Sequence, residues 1–140
     1  MLDRRSPEYP PGRQDDPWDY ERKMAARLWG RFIGVRLDAA GRPLALMRDP
    51  SGALECIAWR QAGLTFAASS AEPWLIRRLR PDWRIEAQRV HQELHSLVGG
   101  TGALMIRGPT ALSPGSVQPL PLSEPPEAIW RPMDFAMRSL

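Results

Sequence analysis

The chain has 140 residues, 43% of them hydrophobic, with a formal net charge of +3. That length suits one small domain rather than two, and no apolar run approaches the ~20 residues of a membrane-spanning helix. The single cysteine, Cys56, excludes an internal disulfide framework and a multi-cysteine zinc site.

Residues 1–16 read as a disordered arm, because Ser6 to Pro17 holds four prolines. This polar start does not read as a secretory signal, so the protein is expected to be cytoplasmic. Asp16-Pro17 reads as a helix cap followed by proline at the first helical position. Tyr20, Met24 and Leu28 recur every four residues, which predicts an amphipathic helix from Pro17 to Leu28 with those three on its apolar face.

The period then changes. Strands are predicted at Phe32 to Leu37, Pro43 to Met47, Leu54 to Trp59 and Leu64 to Ser69, separated by tight turns. The turn Asp49-Pro50-Ser51-Gly52 places proline where its fixed φ helps and glycine where a side chain would be strained. Four short strands spaced in this way predict an antiparallel meander. Ser69 to Glu72 has the spacing of a capping box, so a helix carrying Trp74, Leu75 and Leu79 should follow. A further helix is predicted from Ile85 to Val98, with Val90, Leu94, Leu97 and Val98 on or near one face, and Gly99-Gly100-Thr101-Gly102 ending it. Strands at Ala103 to Arg107 and Ser116 to Leu120 complete the pattern, and 121–140 reads as a Pro-rich linker or tail around Trp130.

Few residues carry an obvious chemistry. The basic residues are 18 Arg and Lys23, scattered among the acids rather than gathered into a stripe, which argues against nucleic acid as a partner. His91 and His95 share a helix face at a metal-compatible spacing, but no third ligand accompanies them and His-Gln-Glu-Leu-His is not the metalloprotease motif. Cys56, placed mid-strand, reads as a small core residue rather than a nucleophile. Gly99-Gly100-Thr101-Gly102 follows a helix, whereas phosphate loops follow a strand and open a helix. No catalytic, cofactor-binding or metal residue is assigned.

Trp29-Gly30-Arg31-Phe32, Arg48-Asp49-Pro50-Ser51-Gly52, Phe66-Ala67-Ala68-Ser69, Leu112-Ser113-Pro114-Gly115 and Trp130, in that order, resemble the later half of the glutaminase-like N-terminal domain of the asparagine synthetase family. Trp-Gly-Arg-Phe and Arg-Asp-Pro-Ser-Gly-Ala look most like its lasso-peptide cyclase branch. The resemblance implies an α+β fold of antiparallel sheets with helices on one face, part of an αββα sandwich of the Ntn-hydrolase type, over 17–120. It implies a non-catalytic piece of an ATP-dependent amide ligase. The family's nucleophile is an N-terminal cysteine, whereas Leu2 follows Met1 here, and Arg107-Gly108-Pro109 lies out of place for its glutamine loop. No family catalytic residue can be carried over, and glutamine hydrolysis is not expected. ATP and magnesium are implied only for a synthetase domain elsewhere. The implied partners are that domain or a second copy of the chain, and a precursor peptide. A free-standing peptide- or protein-binding module is the alternative. Arg48, Asp49, Pro50 and Gly52 are expected to be structural, with Gly52→Val destabilising by roughly 1–3 kcal/mol. Phe32, Val35, Leu46, Ile57, Trp59 and Phe66 are expected to exceed what two short helices can cover, so the chain should self-associate or need a partner.

Overall fold

A computed structural model describes residues 16–28, 30–96 and 104–136. The order of elements is α1 (Asp19–Arg27), β1 (Ile33–Leu37), β2 (Pro43–Arg48), β3 (Ile57–Gln61), β4 (Leu64–Ala68), α2 (Pro73–Leu79), β5 (Arg84–Ile85), α3 (Ala87–His95), β6 (Ile106–Arg107), β7 (Thr110–Ala111), β8 (Ser116–Pro119), β9 (Glu127–Ala128) and α4 (Pro132–Ala136). The fold is α+β and every strand pairing is antiparallel. Two compact units are present where the length suggested one domain. Glu55–Ala111 forms the second, and the chain on either side of it, up to Leu54 and from Leu112, forms the first.

In the first unit the sheet order is β1-β2-β8-β9. Arg36 pairs with Ala45, Gly34 with Met47, and Met47 in turn with Val117. Directly paired residues share a face, so these residues present one surface. Ala45, Met47, Val117 and Ile129 form a core there with Ala25 of α1, and Trp18, Met24, Phe32 and Trp130 pack around it. The β1–β2 connection is built on Asp38, whose Oδ1 accepts the N–H groups of Ala40 and Arg42, both at 2.8 Å. Its Oδ2 receives Arg42 Nε at 2.6 Å. This is a turn whose side chain replaces backbone partners.

The helix α1 buries Glu21 and Ala25 rather than the predicted stripe; Tyr20 is 66% exposed and Leu28 is exposed as well. Ala25 is small enough to let the helix approach the sheet, and Glu21 is held by Arg36 of β1 through both carboxylate oxygens at 3.3 Å. The helix is thereby turned by about one residue from its most hydrophobic orientation. It starts at Asp19, not Pro17, although Asp16 does accept the Trp18 N–H at 2.9 Å.

The second unit contains a three-stranded sheet, β4-β3-β7, and the short pair β5-β6. Gln61 pairs with Leu64 across a two-residue loop in which Ala62 has φ +50° and Gly63 φ +78°, the signature of a primed hairpin turn. Trp59 faces Phe66 across the hairpin, with ring centroids 5.2 Å apart and planes inclined by 14°. Trp83 meets Trp59 edge-on at the same separation.

Several predicted boundaries move. Strand β3 begins at Ile57, not Leu54, because the Leu54 carbonyl is taken by the Arg48 guanidinium; Cys56 therefore lies just before the strand. The capping box does not form. Glu72 is itself the cap residue, with Pro73 in the first turn, and Ser70 Oγ hydrogen-bonds the Glu72 carboxylate at 3.0 Å instead. Ile85 is in a strand, paired with Ile106, and α3 starts two residues later; Leu94 on that helix is 78% exposed. Past Pro121, the segment read as a tail adds β9 to the first unit's sheet and buries Ile129. Of the six apolar residues expected to exceed the cover of two short helices, Leu46 and Trp59 are each 3% exposed within the chain, whereas Val35 is 55% exposed. Trp29, residues 97–103 with the Gly-rich run, and most of the N-terminal arm lie outside the described residues.

Candidate functional site

The string Arg48-Asp49-Pro50-Ser51-Gly52 closes β2 and is almost wholly buried at its charged end. Arg48 is 5% exposed and Asp49 is fully buried. Arg48 donates to three backbone carbonyls: Nε to Leu54 at 2.7 Å, Nη1 to Leu112 at 2.6 Å and Nη2 to Gly52 at 2.8 Å. A planar guanidinium is the side chain suited to this, because its donors diverge in a fixed fork.

Asp49 works in the opposite sense, as an acceptor. Its Oδ1 receives the Ser51 N–H at 2.9 Å and also the Ser51 hydroxyl, and its Oδ2 receives the Phe32 N–H at 3.4 Å. Its backbone carbonyl accepts from Gly52 at 3.2 Å and from Gly115 at 3.1 Å. Gly115, at φ +64°, in turn accepts the N–H groups of Ile129 (2.9 Å) and Trp130 (3.1 Å) through its carbonyl. A Cβ on Gly115 would lie 2.9 Å from the Trp130 carbonyl oxygen.

Two strings singled out separately in the sequence, Arg48 to Gly52 and Leu112 to Gly115, therefore form one node, with Trp130 closed onto it. Pro50 and Ser51 lie at its surface side, half-buried and exposed. Its two charged groups, Arg48 and Asp49, are buried. Its polar groups are turned onto backbone, which is the work of a turn lock.

The first unit also has a cavity of about 290 Å³ between α1 and the sheet. Its wall includes Tyr20, Met24, Val35, Leu37 and Met47, with Glu21 and Arg36 as its charged members. Arg36 is committed to Glu21, to the Pro17 carbonyl at 2.8 Å and to the face of Trp18, 5.6 Å from the ring centroid. Nothing in the spacing of Glu21 and Arg36 announced this pair. The signal available was a lone acid on the inner side of a helix and an arginine on the face-alternating strand opposite.

Two carboxyls titrate below the usual range. Burial raises Asp16 most, but the Trp18 N–H and the Arg22 guanidinium, 2.7 Å away, outweigh it and hold the group low. Asp38 is lowered by the Arg42 backbone N–H and side chain, with Ala40 adding a smaller contribution.

His91 and His95 do share a face of α3, with ring centroids 4.3 Å apart, and both are exposed. Among the described residues no group of three or more His, Cys, Asp or Glu is placed to hold a metal ion. Cys56 is fully buried. Among the described residues no helix is long and apolar enough to cross a membrane. No family model matches this chain, and no curated protein or solved structure matches it either.

Proposed function

We propose that the chain is a non-catalytic, glutaminase-like part of an ATP-dependent amide ligase related to asparagine synthetase, of the kind that closes lasso peptides, and that it acts in the cytoplasm by docking to the domain that carries the ATP chemistry. The observation that supports this reading is the node. Arg48-Asp49-Pro50-Ser51-Gly52 and Leu112-Ser113-Pro114-Gly115 carry the resemblance, and they are bound to one another through Arg48 Nη1 and the Leu112 carbonyl, 64 positions apart. A shared framework requires those strings to meet, whereas two chance matches need not. On this reading the sheets are part of an αββα sandwich, and the partners are the synthetase domain and a precursor peptide.

The experiment is a titration of the isotopically labelled chain with a protein carrying the ATP-grasping Ser-Gly-Gly-x-Asp-Ser loop, encoded in the neighbouring reading frames. A saturable complex is expected. A chain that stays monomeric, melts in a single sharp transition and ignores that protein refutes the reading. That outcome favours a free-standing peptide- or protein-binding module, for which the specific support is the apolar group Tyr20, Val35 and Leu37, each more than half exposed beside the first unit's cavity.

A further inference from the structure

The second unit holds a cavity of about 290 Å³ lined by Trp59, Arg60, Gln61, Arg80, Pro81, Asp82, Trp83 and Gly108. Its lining is rich in donors and short of acceptors. The indole N–H groups of Trp59 and Trp83 are buried and have no hydrogen-bond acceptor among the described residues. An indole nitrogen can only donate, and so can a guanidinium. Arg60 and Arg80 are exposed at this cavity, and no carboxylate among the described residues pairs with either. The one acid of the lining, Asp82, is engaged by Arg84 at 3.3 and 3.4 Å.

The wall is also fixed in place. Trp83 stands edge-on to Trp59, which is stacked on Phe66. The Gly108 backbone lies so close that a Cβ there would sit 2.7 Å from Trp83 Cδ1. Gln61 donates to the Leu79 carbonyl at 2.5 Å, and its Oε1 is a buried acceptor without a partner among the described residues.

We propose that this cavity is a binding site for a small organic anion, one whose carboxylate or phosphate oxygens take the Arg60 and Arg80 guanidinium groups and the indole N–H groups, and whose neighbouring hydroxyl or N–H donates to Gln61. The cavity's size suits a small ligand. Charge-assisted bonds from guanidinium to oxyanion are the strong contacts of such a site. The assignment does not depend on the amide-ligase reading: of the strings that carry the resemblance it touches only Phe66, as the ring stacked on Trp59.

The test is nuclear magnetic resonance of the six indole N–H groups in the whole chain, assigned by Trp59→Phe and Trp83→Phe. The chain is titrated at constant ionic strength with inorganic phosphate in one arm and phenylacetate in the other. The Trp59 and Trp83 signals should shift saturably while the signals of tryptophans outside the cavity stay put, and Arg60→Gln with Arg80→Gln should weaken binding by about tenfold or more. Saturation by phosphate alone identifies a phosphoryl ligand, by phenylacetate alone a carboxylate; either supports the site. If neither anion moves both signals, or if the double arginine variant responds as the parent does, the proposal is overturned. The two indole N–H groups would then be donors to aromatic faces within a closed packing gap.

Discussion

Gly52 and Pro114 are packed so closely that a Cβ built on Gly52 would stand 2.6 Å from Pro114 Cγ, and Gly52 also holds φ at +63°. Conformation and space therefore exclude a side chain at the same position. Gly52→Val should lower stability by about 3 kcal/mol, and Gly52→Ala by somewhat less, both measured by denaturant unfolding. A Gly52→Val protein that unfolds with the parent's midpoint would refute the packing of the two turns.

Arg48→Met should cost about 3 kcal/mol, because the carbonyls of Leu54, Leu112 and Gly52 lose a charged donor together. Arg48→Lys should recover less than half of that, since an ammonium cannot reproduce the three-way fork. Equal stability of the lysine variant and the parent would show that charge alone matters at this position.

Acid should weaken the first unit through Asp16 and Asp38. Both carboxyls are held below 3.8, their value without the folded surroundings. A depressed group stabilises the fold in full above that unfolded value and stops doing so as pH falls through the lower folded value. The melting temperature should thus be flat from neutral pH to about pH 5 and decline below about pH 4. Asp38→Asn should flatten part of that decline. Asp38 is largely solvent-screened, so the change it makes is expected to be small. A decline of unchanged size in the double variant Asp16→Asn, Asp38→Asn would assign acid sensitivity to other groups.

Arg80 ends α2 in the left-handed conformation, at φ +47°, with its N–H bonded to the Ile76 carbonyl at 2.8 Å. Glycine is the residue that adopts this cap without strain. Arg80→Gly should therefore be stabilising by up to about 1 kcal/mol while it weakens anion binding at the cavity. Loss of stability in that variant would show that the arginine side chain contributes to the fold itself.

What the sequence made readable was mostly local. The β1–β2 and β3–β4 hairpins follow from alternation and from Asp38, Gly41 and Gly63, where turn chemistry acts within a few residues. The places where the reading slipped depend on distant partners. Glu21 faces inward because Arg36 of β1 meets it, and no periodicity in α1 contains that fact. Ile85 pairs with Ile106, two residues of strand whose shortness hides them inside a helical pattern. Ile129 is buried because Gly115 receives its N–H, although the surrounding prolines look like those of a linker. The Arg48 node was legible as a turn, but its grip on Leu112 was not, since a hydrogen bond across 64 positions leaves no spacing to count.

That grip has a topological meaning. Leu54 and Leu112 are the last and first residues of the first unit on either side of Glu55–Ala111, and one guanidinium holds the carbonyls of both. The chain leaves and returns within the width of a single side chain, so the entropy of closing that long excursion is met at one point. In sequence, the intervening stretch is an insertion between two residues that one side chain joins. A short Gly-Ser bridge from Leu54 to Leu112 should leave a smaller protein that still folds around Val117 and Ile129.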